Sequence, residues 1–387
     1  MCSSDLSRIH TAVKIDPQYS GPVVYVPDAS RAVNVASSLL SREQRDDYVS
    51  GIKKSFRDAR ERHAGQQRSR DLATLQQARA NPVPIDWRNY RVLRPNALDW
   101  DAPDAAEVSG VSVRPTRITR KGAGTLICLN DIPLTKITPF IDWTFFFHAW
   151  ELKGRYPRIL DDAVKGAEAR KLFTDAESML QRITREKWLR ADAVIGLFPA
   201  NSAGDDILVY ADQERRRTLA SFHFLRKQGK QPEGKYNECL ADFIAPVESG
   251  PTDYIGGFAC TAGTGIDERV RSFEAEHDDY SAIMLKAIAD RLAEALAEWL
   301  HRQVRLHYWG YAADETLNNE QLIEEAYQGI RPALGYPACP DHSEKTLLWE
   351  LLDTQRSTGI WLTESMAMVP AASVSGLYFS HPDRKSV

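Results

Sequence analysis

The sequence predicts an α+β fold: a mixed, largely antiparallel twisted sheet with flanking helices, preceded by a separate βα unit. Three observations predict it. Helix-like segments come first, then several strand-like ones, then helices again, without the alternation that marks a doubly wound sheet. Dense apolar patterning starts only near residue 135. Ahead of it, a single β-branched run is followed by one turn and one helical pattern, too little to bury a core by itself.

Taken in order, VVYV at 23–26 reads as a buried strand and PDAS as a turn. The stretch 31–64 reads as a helix, with Val33, Ala36, Leu39 and Leu40 on one face. Residues 64–82 are polar and read as a linker holding a short helix. Residues 93–124 are rich in Pro and Gly and carry the basic run RPTRITRKGAG, which reads as a solvated loop or insertion. A long helical pattern follows at 160–187. ADAVIGLFPANS and DDILVYAD form a strand pair with Gly204 in the turn, and LADFIAP and DYIGGFAC give further strands. The strongest helix is 278–309, where Ile288, Leu292, Ala295, Leu296 and Trp299 recur at three-and-four spacing. Asn318 and Gln321 make a capping box that starts NNEQLIEEAYQGI as a helix, with Ile323, Tyr327 and Ile330 as its apolar stripe. Gly329 and Pro332 stop it.

The composition bounds the function. A chain of 387 residues, 43% of them hydrophobic, supports a sizeable core and roughly two or three domains. A formal net charge of -4 gives no sign of a nucleic-acid surface. The cysteines (Cys2, Cys128, Cys239, Cys260 and Cys339) are scattered without a CxxC, which argues against a disulfide framework or a thiolate zinc site and for a reducing compartment. No apolar run approaches the ~18 residues of a membrane span, and MCSSDLSR lacks the apolar region of a signal peptide. A cytoplasmic protein with no membrane or nucleic-acid partner is expected.

Chemistry concentrates in RPALGYPACP, residues 331–340. Arg331 is expected at a helix C-terminus and offers a planar fork of donors for a carboxylate or phosphate. Gly335 lets backbone approach a ligand closely, and Tyr336 supplies a flat face with a polar tip. The alternative is that Arg331 pairs locally and Tyr336 is core. Asp290, Glu294 and Glu298 follow one another at i, i+4 on one helix flank. They read either as a solvated ridge, Glu298 pairing with Arg302, or as carboxylates facing a cationic group. Asp142, among the aromatics of FIDWTFFFHAW, is a helix N-cap or a ligand contact. Cys339 with His342 lacks an orienting third group for a thiol nucleophile. GAG at 122–124 and GTG at 263–265 are not expected to follow a strand and open a helix.

Several long stretches then resemble one family. YQGIRPALGYPACPDH, LTESMAMVPAASVSGLYFSHPD, VIGLFPANSAGDDI, EAEHDDYSAIMLKAIADRLAEALAEWLH and IDWTFFF are similar to the C-terminal activation domain of cobalamin-dependent methionine synthase. The resemblance runs almost continuously from about residue 135 to 385. HTAVKI and GPVVYVPDASR similarly resemble the end of that family's flavodoxin-like cobalamin-binding domain. The domains implied are a remnant of that domain at 1–50, a helix, linker and insertion at 51–134, and a C-terminally truncated activation domain at 135–387 (family-style boundary about 66–387).

What the resemblance implies is a methyltransferase module that binds S-adenosylmethionine and returns its methyl group to cobalamin, with flavodoxin or a similar one-electron reductase as electron donor. The product is methylcobalamin for methionine biosynthesis, and the cobalt itself is the nucleophile, so no catalytic side chain is expected. Carried over residue by residue, the S-adenosylmethionine contacts fall on Asp142, Glu325, Arg331, Gly335 and Tyr336. The cobalamin-facing positions fall on Ala29, Asp290 and Glu294. The partner implied is the cobalamin-binding domain of the same enzyme. The zinc-binding cysteines and the homocysteine and folate domains of the family are absent, so this chain alone is not expected to methylate homocysteine. Phe145 stands where the family motif usually has proline. MCSSDLSR matches nothing in the family, and Ser386 and Val387 stand where it has a pair of tyrosines, so both ends are expected to be non-native. A non-catalytic S-adenosylmethionine-binding or interaction module is the alternative.

Overall fold

The computed structural model describes residues 8–26, 29–41, 45–68, 72–100 and 113–382. The chain divides into one unit of residues 1–81 with 228–237 and a second of 82–227 with 238–387. In the first unit lie α1 (Ala29–Leu40), α2 (Arg45–Arg68) and α3 (Leu75–Arg79). The short helix expected in the polar linker is α3, started by a capping box between Thr74 and Gln77. VVYV, expected as a strand, is instead irregular. A strand must pair its backbone along at least one edge, and this unit offers no neighbouring strand among the described residues.

The second unit is built on a seven-stranded sheet: β1 (Arg117–Lys121), β2 (Gly124–Leu129), β3 (Arg190–Ala203), β4 (Asp206–Tyr210), β5 (Thr218–His223), β6 (Asp253–Thr264) and β7 (Ser373–Tyr378). The ladders between these strands are antiparallel. β3 is long enough to take both β2 and β4 along one edge while β6 covers the other, and β7 pairs with β6. Gly204, at φ 67, makes the β3–β4 turn where the sequence placed it.

Alternation along the strands divides the core in two. Ile195, Leu197, Phe258 and Tyr378 face one cluster, with α4 (Trp143–Ala149), α5 (Gly166–Glu186), α6 (Ile266–Ala275) and α7 (Asp279–Gln303). Val194, Phe198, Ala259 and Leu377 face the other, under the helix Glu344–Leu352. α5 buries Ala169, Leu172, Ala176, Met179 and Ile183 at three-and-four spacing. α7 starts where the Asp278 side chain accepts from Ser281 N at 2.9 Å, and it buries Ile288, Leu292, Leu296 and Trp299.

Four expectations change. RPTRITRKGAG is not a solvated loop: it supplies β1 and the turn into β2, and Ala97 and Leu98 upstream are buried. LADFIAP is a short 3-10 turn, Leu240–Phe243, and not a strand. There the Asp242 carboxylate accepts from Cys239 N at 3.0 Å and from Arg226 Nη2 at 2.6 Å, which curls the backbone around it. GTG does follow a strand and open a helix, β6 into α6, with Gly265 at φ 96 and no room for a Cβ beside the Trp188 carbonyl. It belongs to an antiparallel ladder and serves as a turn. Lastly, NNEQLIEEAYQGI is helical only over α8, Asn319–Ile323.

Asp253, at the start of β6, is nearly fully enclosed, and its oxygens accept from Ala245 N at 2.9 Å and Tyr254 N at 2.8 Å. Burial pushes its carboxyl up to about 6, against the two N–H groups that favour the anion. The folded state therefore holds this proton more tightly than the unfolded chain does. Its stabilisation is complete below the ordinary value of 3.8 and is lost as pH rises through about 6. The stability of the wild type relative to Asp253→Asn should fall by about 3 kcal/mol across that window. Denaturant unfolding of both proteins at several pH values checks this, and a difference that is flat with pH refutes it.

Candidate functional site

α8 begins as its capping box demands: Gln321 N donates to Asn318 Oδ1 and Asn318 N to Gln321 Oε1, both at 3.0 Å. It ends early because the chain beyond it is pulled into the sheet. Ile330 N donates to Phe379 O at 3.0 Å and Phe379 N returns to Ile330 O at 3.1 Å, while Leu377 N donates to Pro332 O at 2.9 Å. Residues 330–332 thus lie along the free edge of β7, and these bonds outweigh helix propensity. Gly329 makes the entry at φ 80, where a Cβ would stand 2.4 Å from Phe379 O. Arg331 is therefore not at a helix C-terminus. It sits on a strand edge, and alternation sends Ile330 into the cluster under Glu344–Leu352 and Arg331 to the α7 side.

There the guanidinium meets α7. Arg331 Nη2 pairs with Glu298 Oε2 at 2.7 Å, and Nη1 donates to Tyr327 Oη at 2.8 Å. Glu298 does not pair with Arg302 as its spacing suggested. Its Oε1 lies 4.0 Å from Nη1 of Arg305, and neither of these buried atoms has a hydrogen-bond partner among the described residues. Arg305, fully buried, donates to both oxygens of Glu315 at 2.6 and 2.8 Å and lies over the Tyr327 ring at 4.2 Å. The result is a chain of alternating charge: Glu315, Arg305, Glu298, Arg331.

His301 completes this wall. Its ring stacks on Tyr378 at 5.1 Å, its Nδ1 lies 3.4 Å from Arg331 Nη1, and its Nε2 lies 3.1 Å from Tyr311 Oη. Burial, reinforced by Arg305 and Arg331, holds the imidazole far below its ordinary value. A guanidinium only donates, so the neutral ring accepts at Nδ1 and donates from Nε2 to Tyr311. Burial also raises the Tyr327 phenol to about 12, and Glu298 and the other acceptors keep Arg331 cationic. His301, Tyr327 and Arg305 were not singled out as site residues from the sequence, and Glu298 only as one of three carboxylates that could face a cationic group. The available signal was the i, i+3 placement of Glu298 and His301 on one turn of the strongest helix.

The remaining candidates fall around this wall. Gly335, at φ 97, packs against the His342 ring, leaving no space for a Cβ. Its N–H donates to Cys339 O and Cys339 N to Tyr336 O, both at 2.8 Å, closing a tight loop that leaves Tyr336 66% exposed. Tyr336 is thus not core, and its ring is available. Cys339 is buried and its thiol is pushed up to about 12, which removes it as a nucleophile. Asp142 caps α4 by accepting from Thr144 N at 2.8 Å and keeps partial exposure. Glu325 is exposed at φ 54, just past α8. Asn319 Nδ2 donates to Pro139 O and Arg155 pairs with Glu324 at 3.1 Å, so the segments carrying Asp142 and Glu325 are tied together. α4 and residues 138–140 both pack on α7, the helix that holds Arg331. No contact among the described residues joins Asp142 to Arg331 directly. Asp290 and Glu294 are exposed on α7, about two turns and one turn before Glu298 respectively. Ala29 is the first residue of α1 in the other unit, described in its backbone only. Ser386 and Val387 lie outside the described residues.

Arg331 carries five N–H donors, and its Nε–H is taken by nothing among the described residues. With Tyr336 exposed five residues along the same loop, the arrangement offers donors for a carboxylate and a flat ring. Residues 133–386 match the family described as "Vitamin B12 dependent methionine synthase, activation domain". A solved structure, a MetH reactivation domain bound to AdoHcy, aligns with a TM-score of 0.73 and 48% sequence identity over 82% of this chain and 89% of that one. The chain belongs to the activation-domain family of vitamin B12 dependent methionine synthase.

Proposed function

We propose that this chain binds S-adenosylmethionine and presents its methyl group for the reductive reactivation of cobalamin carried by the cobalamin-binding domain of the same enzyme. The observation that carries the reading is the likeness to a MetH reactivation domain bound to AdoHcy, at 48% identity over most of both chains. The ligand has a carboxylate, an ammonium, a sulfonium and an adenine ring. Arg331 would receive the carboxylate on its uncommitted donors, and Asp142 and Glu325 the cationic and hydroxyl groups. Gly335 would allow close backbone approach, and Tyr336 would lie along the ligand. The enclosed, partly apolar wall behind Arg331 strengthens such charge pairing by excluding water.

Asp290 and Glu294 accept only, which suits the amide N–H groups around a corrin rim, and Ala29 would add a backbone contact. When bound, cobalamin supplies the nucleophile that takes the methyl group. This chain's own work is to hold the donor in line and keep water out, not to supply a general base. A flavodoxin-like protein would deliver the electron. Calorimetric titration with S-adenosylhomocysteine tests the ligand: saturable binding is expected, and its absence refutes the reading. Adding a cobalamin domain and a reductant then tests transfer, followed through the cobalamin absorbance. Binding without transfer would leave a ligand-binding module only.

A further inference from the structure

The buried charge chain behind Arg331 has a use that simple pairing does not explain. Arg331 stands on a strand edge, and an arginine with this exposure, 23% of its side chain, loses about 2 kcal/mol of rotamer freedom when fixed. Three protein groups hold it. Tyr327 Oη and the more distant His301 Nδ1 take Nη1 and Glu298 Oε2 takes Nη2, leaving Nε–H uncommitted among the described residues. Glu298 is itself fixed, 12% exposed on a rigid helix, with its second oxygen facing Arg305. Arg305 is in turn held by Glu315. Arg331, Glu298 and Arg305 each have a neighbour of opposite charge on the side away from the ligand.

Two effects of Glu298 on an incoming carboxylate oppose each other. Its charge repels, and its hydrogen bond pre-orients the guanidinium. With Arg305 Nη1 only 4.0 Å from Glu298 Oε1, much of that charge is compensated from behind, which leaves orientation dominant. We propose that Glu298 is a positioning residue: it acts through Arg331 and selects for ligands that bear a carboxylate. This rests on the reading of Arg331 as the carboxylate partner of S-adenosylmethionine.

The test separates reach from charge by titrating the full chain with two ligands, S-adenosylhomocysteine and methylthioadenosine, which lacks the amino-acid end. Glu298→Asp keeps the charge but is one methylene short of Arg331. Glu298→Gln drops the charge but keeps an acceptor at the same reach. S-adenosylhomocysteine should bind about 10-fold more weakly to E298D and within about 3-fold of wild type to E298Q. Methylthioadenosine should be unchanged by either substitution. Tighter binding of S-adenosylhomocysteine by E298Q would mean that repulsion dominates and overturns the proposal. Equal losses for both ligands would mean a merely structural role and overturn it too. E298D binding like wild type would sink this inference alone, whereas wild type failing to bind S-adenosylhomocysteine would sink the function on which it rests.

Discussion

Arg331→Ala is expected to weaken S-adenosylhomocysteine binding by about 2–4 kcal/mol, roughly 30- to 1,000-fold. Two losses add up. The ligand carboxylate loses its charged donor, and Glu298, 12% exposed, loses the partner 2.7 Å away and keeps only a more distant Arg305. The second loss also lowers the stability of the free protein, so affinity and thermal unfolding must be measured on the same preparation. Methylthioadenosine should bind nearly as before, because it presents nothing for a guanidinium to hold. Equal affinity of wild type and R331A for S-adenosylhomocysteine would remove Arg331 from the site.

The second large effect concerns stability alone. Arg226 lies between two carboxylates: Nε donates to Asp205 at 2.8 Å, and Nη1 and Nη2 grip Asp242 at 2.8 and 2.6 Å. All three side chains are less than a tenth exposed. Desolvation disfavours the charged guanidinium, but Asp242 and Asp205 outweigh it and hold Arg226 cationic. Arg226→Ala leaves two carboxylates buried without their cation and should cost about 3–5 kcal/mol. In a domain of this size that lowers Tm by roughly 10 °C. Replacing all three together (Arg226→Met, Asp205→Asn, Asp242→Asn) should recover part of the loss, because removing a buried triad entirely strands no charge. A Tm of R226A within 2 °C of wild type would mean that the cluster is hydrated and contributes little.

Local signals carried far in this chain, and then stopped at identifiable places. The long helix, the Gly204 hairpin, the Asp142 cap and the Asn318 capping box depend on neighbours within a few residues, and each is found where the sequence implies it. LADFIAP and the second half of NNEQLIEEAYQGI went another way because distant partners decide them. Arg226 draws Asp242 inward, and Phe379 draws Ile330 onto the sheet. The same limit applies to the site. Arg331, Gly335 and Tyr336 share one loop and could be singled out together. His301 looks like an ordinary member of an amphipathic helix, and Glu298 like one of three carboxylates in search of a cation, until the strand edge brings Arg331 beside them.

That strand edge has a consequence for solubility. β7 is paired with β6 on one side, and its other side would offer unpaired N–H and C=O groups to any passing strand. Residues 330–332 cover part of that row through three backbone bonds. The binding loop is therefore also a shield against intermolecular strand addition. Substitutions that loosen it, at Gly329 above all, should raise self-association as protein concentration rises, and ligands that steady Arg331 should suppress it.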